Sequence, residues 1–194
     1  MTAIVSKLLW LGCGVVWFIL RARPRRHARK TPVRYSGRDP REIVLLAISL
    51  AGLGILPCFY VATRLPRFAD YPFHPLQGYA GLAVYGAALW LFHRTHRDLG
   101  RNWSVSLDLR QQHTLVTTGV YRLVRHPMYA GFWLMALAQA MMLPNWIAGP
   151  AGLVGFGTLF FGRVHREEDM MIAAFGDDYR AYMQRTARIV PWLY

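Results

Sequence analysis

The sequence predicts an all-α, polytopic membrane protein with about five transmembrane helices. Hydrophobic residues make up 54% of the 194 residues, although the formal net charge is +13. Apolar and charged residues lie in separate blocks instead of alternating. Several apolar blocks approach the ~20 residues that a helix needs to cross a bilayer. We therefore expect one membrane domain over residues 1–194.

Five apolar spans define the order of the chain. Residues 1–92 hold three spans and an arginine-rich linker, which we expect to lie against anionic headgroups. Residues 93–194 hold the last two spans, joined only by Pro144 and Asn145, which predicts a helical hairpin over residues 127–161 and then a cytoplasmic tail. In that tail, Phe175-Gly176 predicts a helix end, and Asp177 or Asp178 could cap a short helix after it. The spans are Ala3–Leu20, Ile43–Val61, Leu76–Phe92, Pro127–Leu143 and Trp146–Phe161.

The distribution of lysine and arginine predicts the orientation in the membrane. Nine of these residues lie in Arg21–Arg41, six in His93–His126 and five after Phe161, whereas Ala62–Pro75 holds two. The positive-inside rule then places the amino terminus outside and the carboxyl terminus in the cytoplasm. Lysine is rare beside arginine, which suggests a GC-rich bacterial genome and hence a bacterial cytoplasmic membrane.

Other residue patterns exclude some classes of function. The basic charge alone could indicate nucleic-acid binding, but the arginines flank apolar spans and no nucleic-acid motif accompanies them. His93 and His96 lie three apart and could ligate a metal, but one such pair is too few for a membrane di-iron site. We therefore predict no metal and no nucleic-acid partner. Cys13 and Cys58 lie in apolar spans, where we expect them to pack as small core residues.

Two polar clusters border the last two spans. Arg125 and His126 directly precede Pro127, at the start of a predicted helix, where free N–H groups and the helix dipole favour anions. The second cluster, Arg163–Asp169, follows the last span. Because both clusters lie at the same end of a predicted antiparallel pair, we expect them to meet at the cytoplasmic side and form a site.

Five short motifs follow one another in the carboxyl-terminal half: Leu115-Val116, Gly119-x-Tyr121, Arg125-His-Pro-x-Tyr-x-Gly131, Glu167-Glu168 and Phe175-Gly-x-x-Tyr179. Together they resemble the isoprenylcysteine carboxyl methyltransferases, whose wider relatives include membrane phospholipid methyltransferases. The resemblance covers roughly Gly100 to Pro191, with the motifs in order and suitably spaced.

The resemblance implies an S-adenosylmethionine-dependent methyltransferase without a Rossmann domain, and the sequence has no G-x-G-x-x-G motif. It implies that Arg163 faces a substrate carboxylate and acts in catalysis with Glu167. The sequence departs from the family near Ser106, where eukaryotic members carry a cofactor-contacting glutamine. The resemblance implies that the donor, and its product S-adenosylhomocysteine, are held by His113, Thr114, Leu115, Val116, Gly119, Tyr121, His126, Pro127, Met128, Tyr129, Glu167 and Glu168.

The chemistry of carboxyl methylation agrees with these residue types. A carboxylate is already ionised near neutral pH, so it needs no general base. It needs placement in line with the methyl group, which an arginine can provide with two parallel hydrogen bonds. Glu167 could accept hydrogen bonds from the donor's ammonium or ribose groups. We expect a lipidic or prenylated acceptor to enter sideways from the membrane lipids, while the donor enters from water.

Several alternatives stay open at this point. Phospholipid amine N-methylation would need a neutral base such as His165 in place of Arg163. A membrane NADPH-dependent reductase of the sterol type and a non-catalytic membrane scaffold are alternatives from other classes. Arg163 and Glu167 could also form only a surface pair one helical turn apart. The sequence predicts neither the natural acceptor nor the oligomeric state.

Overall fold

The structure is a computed structural model, and it describes residues 1–28, 33–36, 39–100, 108–110 and 114–193, with side chains in 1–22, 39–100 and 114–193. These ranges are mostly helical, as predicted. They also contain one feature that the sequence did not predict, a two-stranded antiparallel ladder of β1 (Val33–Ser36) and β2 (Asp108–Arg110). The helices are α1 (Ala3–Ala28), α2 (Pro40–Leu50), α3 (Leu56–Thr63), α4 (Pro75–Leu99), α5 (Pro127–Met142), α6 (Ala151–Phe175) and α7 (Asp177–Arg185).

The five predicted spans correspond to α1, to α2 and α3 together, to α4, to α5 and to α6, but the last one was placed wrongly at its amino end. Helix α6 begins at Ala151 and not at Trp146. The reason is a turn, in which the Asn145 side-chain oxygen accepts hydrogen bonds from the N–H groups of Ile147 (3.0 Å) and Ala148 (2.9 Å). Helix α6 then continues beyond the predicted span to Phe175, so Arg163 and Glu167 lie on a regular helix.

The end of α6 agrees with the sequence. Gly176 follows Phe175 with φ +56°, a conformation that glycine adopts without steric cost. Helix α7 starts directly at Asp177, and neither Asp177 nor Asp178 caps it, because the residue at the N-cap position is Gly176. The predicted glycine stop is therefore confirmed, and the predicted aspartate cap is wrong.

Helices α2 and α3 form one continuous run, joined by a single π-helical segment, Ala51–Ile55. Glycine lets this run pack directly on α6. A Cβ added to Gly52 would lie 2.3 Å from the carbonyl oxygen of Ala151, and one added to Gly155 would lie 2.8 Å from that of Ile48. Close backbone approach through glycine is typical of helices packed in lipid. It brings the first turn of α2 beside the middle of α6.

Helices α5 and α6 pack with their contacts in antiparallel order. Near the turn, the Gln139 amide donates to the carbonyl oxygens of Ala148 and Gly149. At the other end of the pair, the Tyr129 ring contacts the Phe160 ring edge-on, with centroids 5.4 Å apart. The start of α5 therefore lies beside the second half of α6, as a site between the two polar clusters requires.

Many large apolar side chains face outward. Among the described residues, Ala3–Ala22 and Pro40–Thr63 are long and apolar enough to cross a membrane by themselves. Exposed fractions exceed 60% for Phe18, Trp90 and Phe161, which lie on three different helices. Water would penalise such a surface, whereas lipid does not. The chain is therefore an integral membrane protein; the number of spans and the direction of the termini stay predictions.

Candidate active site

The segment before α5 is held in place by the end of the chain. The backbone N–H groups of Arg125 and His126 each donate a 2.9 Å hydrogen bond, to the carbonyl oxygens of Ala187 and Arg188 respectively. Tyr182 of α7 donates to the Tyr121 carbonyl oxygen at 2.6 Å. Pro127 occupies the first turn of α5, as predicted, and His126 is its N-cap residue.

Glu168 lies at the centre of a set of charges that we call the closed cluster: Glu168, Arg125, His126 and Arg188. The Glu168 carboxylate is 3.1 Å from Arg125 Nε, 3.2 Å from His126 Nε2 and 2.7 Å from Arg188 Nη2. Only 3% of the Glu168 surface is exposed. Burial by itself raises the pKa of this carboxyl, but the hydrogen bonds from His126 and Arg188 and the nearby charges hold the pKa well below its usual range.

Glu167, the preceding residue, belongs to a second set that we call the open cluster: Glu167, Tyr129, Arg163 and Glu42. The Tyr129 hydroxyl group donates a hydrogen bond to Glu167 Oε2 (2.5 Å). Arg163 Nε lies 3.5 Å from the same oxygen, and His126 Nδ1 lies 3.7 Å from Oε1. The Glu167 side chain remains 27% exposed and lines a cavity.

Arg163 and Glu42 complete the open cluster. Arg163 Nη1 lies 2.9 Å from Glu42 Oε1, and the two residues are 8% and 1% exposed. The idea that Arg163 and Glu167 form only a surface pair is therefore wrong. Glu42 lies outside every sequence motif and was not predicted as a site residue. The one available signal was a carboxylate immediately before the predicted span Ile43–Val61.

A cavity of about 860 Å³ connects the open cluster with apolar side chains of the amino-terminal half. Its polar end holds the cavity-facing residues of the open cluster and the start of α5. Its apolar side is formed by α1 and by the α2–α3 run, including Trp10, Trp17, Leu53 and Cys58. The predicted site residues that line it are Thr114, Leu115, Val116, Tyr121, His126, Pro127, Met128, Tyr129, Arg163 and Glu167.

Two predicted cofactor residues do not line this cavity. Glu168 points into the closed cluster, where two arginines and His126 contact its oxygens. Gly119 forms a turn with φ +63°, and a Cβ there would lie 2.1 Å from Asp98 Oδ2. The same Asp98 oxygen accepts a hydrogen bond from the Val120 N–H group at 2.9 Å. Glu168 and Gly119 therefore contribute to the structure around the cavity but do not line it. His113 and Ser106 lie outside the described residues.

Two other histidines among the described residues do not line the cavity. His165, which an amine methyltransferase could have used as a base, is exposed and is not among the cavity-lining residues. His96 is buried, with Nδ1 2.8 Å from the Phe92 carbonyl oxygen, and burial lowers its pKa to about 4. Within the described part of the chain, no group of three or more His, Cys, Asp or Glu residues is placed to hold a metal.

Part of the chain is similar in sequence to a known family of membrane methyltransferases. Residues 80–173 match the model of the isoprenylcysteine carboxyl methyltransferase (ICMT) family. The protein-S-isoprenylcysteine O-methyltransferase of Schizosaccharomyces pombe is 35% identical over 87 residues, which cover 45% of this chain and 37% of that protein. The Homo sapiens enzyme is 34% identical over 92 residues, covering 47% and 32% respectively. The Arabidopsis thaliana enzyme B is 35% identical over 96 residues, covering 48% and 49%.

A solved structure also resembles the chain. It is that of the eukaryotic intramembrane Ras methyltransferase ICMT, with a TM-score of 0.54 and 24% identity, covering 81% of this chain and 54% of that one. This likeness confirms the fold. The family match confirms the resemblance drawn from the motifs of the carboxyl-terminal half. The matched segments span about half or less of the length of the curated relatives.

Proposed function

We propose that the family likeness of residues 80–173 extends to activity, and that the chain transfers a methyl group from S-adenosylmethionine to the carboxylate of a lipidic, prenyl-type acceptor. One observation carries this proposal. A single cavity has a charged end at Arg163 and Glu167 and an apolar side formed by α1 and the α2–α3 run. A water-soluble donor and a lipid-soluble acceptor have to meet in such a space.

The residues at the charged end fit the donor's chemical groups. The first turn of α5 presents N–H groups and the positive end of the helix dipole, and its N-cap residue His126 makes no side-chain cap hydrogen bond. These features suit the carboxylate of an amino acid. Glu167 retains exposed carboxylate surface toward the cavity, which suits an ammonium group or ribose hydroxyls. Tyr121 and the segment 114–116 add apolar surface for a purine ring. The bound donor would supply an electrophilic methyl group.

Arg163 is the residue that we assign to the acceptor carboxylate. It is buried, it lines the cavity, and its guanidinium has five N–H groups in a planar fork. The apolar side chains of α1 and α3 would receive the lipid chain and exclude water. A partly dehydrated site favours a reaction in which an anion and a cation become two neutral products. The Arg163 side chain also lies beside the Glu167 carboxylate and over the ring of Tyr129, which help to fix its position.

We further propose that the charged end faces the cytoplasm of a bacterial cell, with the amino terminus outside. The support is the arginine distribution, which is densest in the segments at this end of the helices. A bacterial acceptor need not be a prenylated protein, since Arg163 and an apolar wall recognise only a carboxylate and a lipid chain.

Two measurements test the function. Calorimetry on the detergent-purified chain should show binding of S-adenosylhomocysteine, and no detectable binding would contradict the proposal. Isotopically labelled donor should transfer its methyl group to an S-prenylated cysteine derivative, or to a lipidic acid in a bacterial lipid extract identified by mass spectrometry. Transfer only to lipid amines would instead indicate the phospholipid N-methyltransferase alternative.

A further inference from the structure

Glu42 is a buried carboxylate that no motif assigns, and it contacts the proposed acceptor-binding arginine. It lies in the first turn of α2, where its own N–H group donates to Asp39 Oδ1 at 2.8 Å. Its side chain is 1% exposed and reaches Arg163 Nη1 at 2.9 Å. The proposed site therefore includes a charge from the amino-terminal half of the chain.

The position of Glu42 is fixed by the packing of α2 on α6. Asp39 Oδ2 pairs with Arg166 Nη2 at 2.7 Å, and Glu42 pairs with Arg163 one turn further along both helices. Further along again, the backbones touch at Gly52 and Gly155. The order of these contacts runs antiparallel along the two helices. The contacts on both sides of Glu42 therefore place its backbone beside Arg163 in this packing of the two helices.

The charge balance around Arg163 bears on the chemistry. Arg163 lies between two carboxylates, Glu42 at 2.9 Å and Glu167 at 3.5 Å. These three side chains sum to one negative charge when all are ionised. An arginine whose only partner was the acceptor would stabilise the acceptor carboxylate strongly in a buried site. That stabilisation would disappear as the oxygen loses its charge during methylation, so it would slow the chemical step.

We propose that Glu42 is a positioning and charge-balancing residue for Arg163, an inference that rests on the proposed carboxyl methylation. Glu42 shares the guanidinium with the acceptor carboxylate, so the acceptor binds less tightly but reacts faster. In the step concerned, an electron pair of the carboxylate oxygen forms the C–O bond while the pair of the broken C–S bond stays on sulfur. The carboxylate and the sulfonium both become neutral, and no proton is transferred.

The inference predicts a split between KM and kcat that loss of structure alone would not produce. For Glu42→Gln we expect the acceptor KM to fall about tenfold while kcat falls about threefold to tenfold, because the ground state is stabilised more than the transition state. The matched control is Asp39→Asn, which weakens the neighbouring exposed pair with Arg166 on the same two helices. Its KM and kcat should stay within about twofold of the original chain. Unchanged constants for Glu42→Gln, or a raised KM with a lowered kcat, would overturn the inference.

Equilibrium binding separates this inference from the proposed function. Without donor, a radiolabelled prenylcysteine acceptor should bind the original chain, bind Glu42→Gln more tightly and bind Arg163→Met weakly. In the Arg163→Met background, Glu42→Gln should have no further effect, because Glu42 acts through Arg163. If the acceptor bound the original chain and bound Glu42→Gln no more tightly, only the inference would be overturned. If the original chain neither bound nor methylated the acceptor, both the inference and the proposed function would be overturned.

A second variant covers the case in which Glu42→Gln does not fold. Glu42→Asp keeps the charge but withdraws it from Arg163, so it should shift KM and kcat in the same direction by a smaller factor.

Discussion

Glu167 and Glu168 are neighbours on α6 with the same side chain and different surroundings. In the closed cluster, Glu168 is surrounded by Arg125, His126 and Arg188 and does not line the cavity. In the open cluster, Glu167 faces the cavity, with Tyr129 and Arg163 beside it. A carboxylate whose oxygens are all used by the protein supports the fold, whereas one with exposed surface in a cavity can bind a ligand. The two clusters should therefore respond differently to substitution.

The largest effect is expected at Arg163. Replacing it with methionine removes the group that we assign to the acceptor carboxylate, and methyl transfer to a carboxylate should fall by about 10³-fold. Binding of S-adenosylhomocysteine should stay within about threefold, because the cofactor contacts are assigned to other residues. Steady-state methylation and calorimetry on the same preparation check this. An amine methyltransferase would retain much of its activity in this variant.

The second effect concerns the closed cluster. Glu168→Gln leaves the partly buried Arg125 and Arg188 without their anion, which should cost about 3 kcal/mol of the free energy of unfolding. Thermal unfolding in detergent measures the loss. Its counterpart is Glu167→Gln, which should cost less than about 1 kcal/mol because this side chain is partly exposed. Equal losses for the two variants would contradict the distinction between the clusters.

The third effect concerns the open cluster. Glu167→Gln keeps the shape but removes the charge that faces the donor, so the affinity for S-adenosylhomocysteine should fall about tenfold or more. For Glu168→Gln, measured at a temperature where it is folded, the affinity should fall less. Calorimetric titration of both variants provides the check. A greater loss of affinity for Glu168→Gln would return Glu168 to the cofactor-binding set.

The smallest effect is the pH dependence of the closed cluster. Since the pKa of Glu168 is lowered in the folded protein, this carboxyl contributes stability above its unfolded pKa of about 4.3, and that stability is lost as pH falls further. The stability difference between the original chain and Glu168→Gln should shrink as pH falls below about 4. A difference that already shrinks between pH 8 and 6 would require another titrating group.

Most residues that line the charged end lie in sequence motifs, so their positions in space could be predicted. The segment 125–129 and the pair Arg163 and Glu167 stand at fixed spacings on two helices, and helix periodicity turns such spacings into positions in space. Whether these residues bind a donor stays a prediction. The glycine stop at Gly176 was also predictable from the sequence, because glycine readily adopts the positive φ that commonly ends a helix.

Contacts between distant parts of the chain were beyond sequence analysis. Glu42 and Arg163 lie far apart in the chain, and they pair because the backbone of the α2–α3 run packs against α6 at Gly52 and Gly155. No local sequence pattern predicts that contact. Arg188 reaches Glu168 only because the chain end pairs with the segment before α5. The start of α6 was misplaced because hydropathy registers Trp146 and Ile147 as apolar, while the Asn145 turn is set by hydrogen bonds.

The pairing of Ala187 and Arg188 with Arg125 and His126 also bears on the order of assembly during synthesis. The helices that precede residue 187 can enter the membrane while the ribosome is still at work. The closed cluster, in contrast, cannot form until Arg188 has emerged, so it assembles after the helices that precede it have been made. A nascent chain arrested before residue 187 should be inserted in the bilayer and yet lack the hydrogen bonds and the ion pair that hold the segment before α5.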